Sequence, residues 1–154
     1  MKNLINVALR HLSSRNCSER ELRQSLEKEF ANHANIDEHI ELTLNRLREL
    51  HVLNDARVAG SLAERYSHKG NRFITQVLRQ KGVNQDVIES TLTALEPESD
   101  RALEVARKKL RGLCAEKPQT IENTLWHFLS SRGFASDTLH QVIEQLKEDD
   151  LLVR

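Results

Sequence analysis

Turn-forming residues are scarce in this chain, with five glycines and two prolines in 154 residues. So few breaks suit helices, and five scattered glycines cannot form a glycine-rich phosphate loop. Alternating runs of Val, Ile and Thr are missing, which excludes a fold built on sheets. No apolar run approaches the roughly 20 residues needed to cross a bilayer. The opening Met1-Lys2-Asn3-Leu4-Ile5-Asn6 lacks a signal-peptide core, so the Asn16-Cys17-Ser18 sequon reads as a chance match. Cys17 and Cys114 lack Cys-x-x-Cys spacing, and the expectation is two thiols in a reducing cytoplasm. Excess charge of either sign is also missing: 23 basic residues face 23 acidic ones. That balance argues against a protein that holds DNA through a uniformly basic surface.

Catalytic and metal-binding patterns are absent too. His11, His33, His39, His51, His68, His127 and His140 show neither His-Glu-x-x-His nor zinc-finger spacing, so no metal and no cofactor is expected. A cysteine nucleophile would need Cys17 or Cys114 beside a base in space, and Cys17 has a simpler role described below. The expectation is a protein that is not an enzyme.

What the chain has instead is a repeat. Shifted by 51 residues, Ile74, Leu78, Gly82, Ile88, Leu92 and Leu95 fall on Leu125, Leu129, Gly133, Leu139, Ile143 and Leu146. A looser copy comes earlier: Leu22 and Leu26 precede Ile74 and Leu78 by 52, and Ile40, Leu44 and Leu47 precede Ile88, Leu92 and Leu95 by 48. The difference is a four-residue insertion around Ala31-Asn32-His33-Ala34. A helical repeat of this length indicates tandem small bundles that bind extended partners along a surface.

The spacing predicts nine helices in three triplets, residues 1–53, 54–96 and 97–154, forming an elongated rod, straight or curved. In the first triplet Ser18 and Glu21 form a capping box, with Cys17 and Leu22 as a hydrophobic staple. Leu22, Leu26 and Phe30 share one face, as do Ile36, Ile40, Leu44 and Leu47. Asn54 or Asp55 caps the fourth helix, whose inner face holds Val58, Ala59, Leu62, Ala63 and Tyr66. Gly70 breaks the chain. The fifth helix presents Phe73, Ile74, Val77 and Leu78, and Lys81-Gly82-Val83 ends it as a Schellman stop. Arg132-Gly133-Phe134 repeats that chemistry. Asn84 caps the sixth helix, with Ile88, Leu92 and Leu95 inward. The seventh runs from Ser99 to about Leu113 with Leu103, Ala106 and Leu110 on one side. Pro118 opens the eighth, with Leu125, Phe128 and Leu129 inward and Trp126 partly exposed. The ninth covers Ser136 to about Asp149.

Charge is unevenly spread. Residues 57–82 carry Arg57, Arg65, Lys69, Arg72, Arg79 and Lys81 against Glu64 alone, and residues 107–111 add Arg107, Lys108, Lys109 and Arg111. Residues 137–150 carry Asp137, Glu144, Glu148, Asp149 and Asp150 against Lys147. A basic middle suits an acidic or phosphate-bearing partner, although scattered Arg and Lys also describe an ordinary solvated helix face. Lys81 and Arg132 are explained by the negative end of a helix dipole without any partner. Trp126 and Phe128 could stack bases, but Phe128 sits at a core position.

Leu53-Asn54-Asp55-Ala56-Arg57-Val58-Ala59, then Lys69-Gly70-Asn71 and Leu78-Arg79-Gln80-Lys81-Gly82-Val83, resemble the central segment of the bacterial RecX family. Ala8-Leu9-Arg10-His11-Leu12, Arg15, Ser18, Glu21-Leu22 and Leu26 resemble its opening helices, and Ser131-Arg132-Gly133-Phe134 with Thr138 its C-terminal repeat. Two departures are Val58, where the family commonly has an aromatic, and Asn71, where a second small residue often follows the glycine. The resemblance implies a cytoplasmic, monomeric regulator of the RecA recombinase. It would lie in the groove of the RecA filament on single-stranded DNA, inhibiting ATPase, strand-exchange and coprotease activity, with at most weak contact to DNA. Under it, Arg57, Arg65, Lys69, Arg72, Arg79, Arg107, Lys108, Lys109 and Arg111 are the candidate partner-binding residues. The alternative is a helical module that binds nucleic acid directly, since three-helix units resemble helix-turn-helix folds.

Overall fold

Helix signals and helix positions agree closely along the chain. The computed structural model describes residues 2–14, 17–113 and 117–149; Arg15, Asn16, Cys114 and Asp150 lie outside the described residues. These residues hold nine helices and no strand. They are α1 (Lys2–Ser14), α2 (Glu19–Glu29), α3 (Ile36–Glu49), α4 (Asp55–Arg65), α5 (Asn71–Gln80), α6 (Gln85–Ala94), α7 (Glu98–Arg111), α8 (Pro118–Ser131) and α9 (Ser136–Glu148). The chain is an all-α protein of tandem three-helix repeats.

By proximity it divides into two compact units, one of Met1–Ser61 with Leu78–Thr91 and one of Leu62–Val77 with Leu92–Arg154. In the first, α1, α2 and α3 pack on one another. Their core is Leu4, Ala8, Cys17, Leu22, Leu26, Ile40, Leu44, Leu47 and Leu53, with Phe30 and Ile36 only partly covered. Each fully buried leucine there contributes roughly 1.5–3 kcal/mol. In the second unit, α7, α8 and α9 enclose Ala102, Ala106, Ile121, Leu125, Leu129, Phe134, Leu139, Val142, Ile143 and Leu146. Zero exposure at both Ala102 and Ala106 reflects helices brought close by small side chains.

Local chemistry sets the boundaries. Ser18 and Glu21 make the expected capping box: Glu21 N–H donates to Ser18 Oγ at 3.2 Å and Ser18 N–H to Glu21 Oε1 at 3.1 Å. Asn54 is the cap of α4, accepting from Arg57 N–H at 3.1 Å. Asp55 turns elsewhere and accepts Glu19 N–H at 2.9 Å, fastening the first turn of α2. Asn84 caps α6 through Val87 N–H at 3.0 Å, and Pro118 opens α8.

Both predicted Schellman stops form. Gly82 and Gly133 take φ of 85° and 87°. Val83 N–H reaches Leu78 O at 3.1 Å while Gly82 N–H reaches Arg79 O at 3.0 Å. Phe134 to Leu129 and Gly133 to Ser130 repeat the pair at 3.3 and 3.1 Å. α3 ends the same way without glycine, since His51 holds φ of 57° and Val52 N–H returns to Leu47 O at 3.1 Å.

Several inward expectations are only half met. Leu92 on α6, Leu95 just past its end, and Leu103 and Leu110 on α7 are half-buried. Phe128 is half-buried as well: it packs against the second core, and Lys109 and Arg132 lie over its ring. On α7 the buried face is centred on Ala102 and Ala106, and it draws in a charged residue: Arg101 is only 4% exposed.

Candidate functional site: two copies of one junction

The N-terminal turn of α2 and the C-terminal turn of α5 meet inside the first compact unit. Ser18 Oγ donates to Lys81 O. Arg20 Nη2 reaches Arg79 O at 3.4 Å and also donates to Gln80 O. A Cβ on Gly82 would lie 2.7 Å from Arg20 Cβ, so the glycine permits both the turn and the close approach.

One repeat later, inside the second unit, the N-terminal turn of α5 meets the C-terminal turn of α8, with a backbone amide in place of the serine hydroxyl. Gly70 N–H donates to Arg132 O at 2.8 Å, and Arg72 Nη2 reaches Ser130 O at 3.4 Å. A Cβ on Gly133 would lie 2.8 Å from Phe73 Cβ. Offsets of 52 on one side and 51 on the other carry Ser18, Arg20, Arg79, Lys81 and Gly82 onto Gly70, Arg72, Ser130, Arg132 and Gly133. Gly70 therefore does more than break the chain. It is buried against the Gly133 backbone, where any side chain would collide.

The copies differ in charge. At the first, Lys81 Nζ pairs with Glu21 Oε2 at 3.2 Å, and Glu19 pairs with Arg48 and lies 4.0 Å from Arg23. At the second, Asn71 replaces Glu19 and Phe73 replaces Glu21. Among the described residues Arg132 accordingly meets no carboxylate and its buried Nε has no hydrogen-bond partner; its guanidinium sits over the Phe128 ring at 4.4 Å. Lys109 Nζ lies over the same ring at 4.9 Å, and Lys69 Nζ lies over Phe73 at 5.0 Å. Beside them, partial burial and then the charges of Arg132, Lys69 and Lys108 lower the His68 pKa below its ordinary value. Glu98 approaches this turn, but its carboxylate is engaged by Ala135 N–H at 3.0 Å.

A buried arginine holds the second junction in place. Arg101 donates to Glu96 O at 2.9 Å, Ser67 O at 3.1 Å, Lys69 O at 2.7 Å and Asn71 Oδ1. Burial pushes its guanidinium pKa down, while Glu98 and Glu96 oppose that shift. No sequence expectation singled it out. The available signal was its place on the flank of the small Ala102–Ala106 stripe, four residues before Val105.

The nine candidate cations separate by environment. Arg107 pairs with Asp149 at 3.2 Å and Lys108 with Glu104 at 3.6 Å. Arg57 donates to Val52 O at 3.3 Å and Arg79 to Gln85 Oε1 at 3.1 Å, both in the first unit. Arg65 sits over Tyr66 at 5.7 Å, Arg111 is exposed, and Lys69, Arg72 and Lys109 gather with Arg132 around the second junction. The basic run of residues 57–82 is thus shared between two units. At the two helix ends Lys81 pairs with a carboxylate, whereas Arg132 stacks on Phe128.

Among the described residues no group of His, Cys, Asp and Glu could hold a metal ion, and no helix is long and apolar enough to cross a membrane. Cys17 is buried at 2% exposure in the first core, with Leu22 beside it as the staple requires. Trp126 meets His140 edge-on, with ring centroids 4.8 Å apart.

Tandem three-helix repeats joined by glycine-ended turns define a class of helical-repeat proteins, and similarity to known proteins narrows that class. The family profile described as RecX, second three-helix domain, matches residues 54–92. Regulatory protein RecX of Deinococcus radiodurans is 31% identical over 147 residues, covering 94% of this chain and 69% of that protein. Its namesake in Leptothrix cholodnii is 33% identical over 138 residues, covering 88% and 84%. A RecX of Clostridium botulinum is 32% identical over 71% of this chain, which spans only 54% of that relative. The crystal structure of RecX from Lactobacillus salivarius superposes with a TM-score of 0.82 at 22% identity, covering 96% of both chains. This chain belongs to the RecX family of regulatory proteins.

Proposed function

We propose that this protein regulates the RecA recombinase by lying along the RecA filament on single-stranded DNA and inhibiting its ATPase, strand-exchange and coprotease activities. The observation that carries the reading is family membership extending over nearly the whole chain, 94% of it in one relative. Repeat architecture supports it physically. Tandem bundles offer several modest contact surfaces in fixed order, and these act together only on a partner that is itself repetitive. The protein works in this reading by binding rather than by catalysis, in the cytoplasm and as a monomer.

Arg57, Arg65, Lys69, Arg72, Arg79, Lys109 and Arg111 are the proposed contacts. Arg107 and Lys108 contribute less because carboxylates already neutralise them. The triplets 1–53, 54–96 and 97–154 remain the proposed repeat units. Each junction clasps one triplet to the next, which explains why grouping by proximity cuts across α4, α5 and α6. The test is RecA's DNA-dependent ATPase titrated with this protein. Inhibition at or below one protein per RecA subunit is expected, and undiminished hydrolysis at that ratio would reject the proposal.

A further inference from the structure

The two junctions act as each other's control. The glycine stop and the bridging arginine recur in both, yet the second lacks both acids of the first. From this difference we infer that the second junction, Lys69, Arg72, Lys109 and Arg132, is a seat for the sugar–phosphate backbone of single-stranded nucleic acid, and that the first is a structural clasp.

Two observations carry the assignment. None of the four cations has a carboxylate partner among the described residues, whereas Lys81 in the matching position has Glu21. Aromatic rings hold two lysines and an arginine in place without neutralising them, because a cation over a ring face keeps its N–H donors for other acceptors.

A phosphate backbone suits this surface better than an acidic protein segment. Protein interfaces are built around an apolar centre. Here Phe134 and Leu129 are buried, and cations roof Phe73 and Phe128, leaving mostly charge and N–H donors on offer. A nucleic-acid strand requires little else, and its successive phosphates let separate cations engage a single ligand. The inference deepens the filament reading by giving the strand inside the filament a place on the regulator. Its test uses no RecA, so the two ideas fail separately.

The experiment measures fluorescence anisotropy of a labelled oligothymidylate with the full-length protein over a range of salt concentrations. Repeat-equivalent double variants are compared: Arg72→Gln with Arg132→Gln, against Arg20→Gln with Lys81→Gln. The second-junction pair should weaken binding at least tenfold at low salt and flatten the log–log salt dependence by about 1.4, roughly 0.7 for each lost phosphate contact. The first-junction pair should leave both unchanged. Arg72→Lys with Arg132→Lys keeps the charge and should retain the slope, which separates charge from folding; thermal melts followed by circular dichroism identify any variant that fails to fold. Phe73→Glu, which restores the acid of the first junction, should weaken binding without removing a cation. Equal losses from the two Gln pairs would overturn the assignment, as would oligoglutamate competing as well as the oligonucleotide at equal charge.

Discussion

Replacing Arg101 with methionine should destabilise the second compact unit by about 3–5 kcal/mol, since each buried acceptor left without its donor costs about 1–3 kcal/mol. The four bonds to Glu96 O, Ser67 O, Lys69 O and Asn71 Oδ1 come from a charged donor, and such bonds contribute about 1.5–3 kcal/mol each. Their sum exceeds the net effect because a guanidinium at 4% exposure has lost most of its hydration, which costs several kcal/mol. Methionine fills similar volume, so the change isolates the polar loss from a cavity. It leaves three carbonyls and one side-chain amide oxygen without their donor. Trp126, the single tryptophan and half-buried in this unit, supplies a fluorescence signal for urea unfolding. With an m-value of about 2 kcal/mol/M, the midpoint should fall by about 2 M at unchanged slope. Arg101→Lys carries three donors on a compact ammonium instead of a five-donor fork and should lose about half as much. A methionine variant whose midpoint stays within about 0.3 M of the parent would refute the reasoning, since water would then be satisfying those acceptors.

Alanine at either glycine stop should be costly. Gly133→Ala meets both the positive-φ penalty of about 1–2 kcal/mol and the backbone N and Cβ of Phe73, at 2.9 and 2.8 Å, for a total of roughly 2–4 kcal/mol. Gly82→Ala carries the same φ penalty and meets Arg20 Cβ at 2.7 Å, so a comparable loss is expected; a loss below about 1 kcal/mol at either glycine in thermal or urea melts would contradict this. Asp55→Asn keeps an acceptor for Glu19 N–H, whereas Asp55→Ala removes it and should cost about 1 kcal/mol. Burial raises the Asp55 pKa above 3.8, against the lowering pull of Arg48. Ionised Asp55 therefore costs the folded state stability above that value, and protonation removes the cost as pH falls through the raised pKa. The advantage of Asp55→Asn should accordingly be largest near neutral pH and fade below about pH 4; a difference from the parent that stays constant from pH 7 to 3 would show that the carboxylate is not held by burial.

Helix ends were readable because their causes are local. Ser18 and Glu21, Asn84, Pro118 and the Lys/Arg-Gly-apolar stops each act within a few residues, and each formed where its chemistry required. The choice between Asn54 and Asp55 could not be made locally, because Asp55 is claimed by an amide 36 residues away. Arg101 was illegible for the same reason: three of its four acceptors lie 30–34 residues earlier. Half-burial of Leu92, Leu95 and Phe128 also depends on what arrives from elsewhere, and periodicity specifies a face without specifying its cover.

The candidate site shows how far local reading goes. Lys81-Gly82 and Arg132-Gly133 are alike in sequence, and the helix dipole explains both cations equally well. Only when the preceding repeat is seen docked on each turn does their environment diverge, through residues about 60 positions away: Glu21 beside Lys81, Phe73 beside Gly133. A repeat protein must keep the contacts that join its copies, so selection for assembly acts on the glycine, the bridging arginine and the carbonyls they meet. Neutralising acids are not among those requirements, because the second junction closes without them. Their loss at one copy leaves the fold intact while exposing uncompensated charge, and that is how a shared structural joint can acquire a binding role at one position of an array and not at the next.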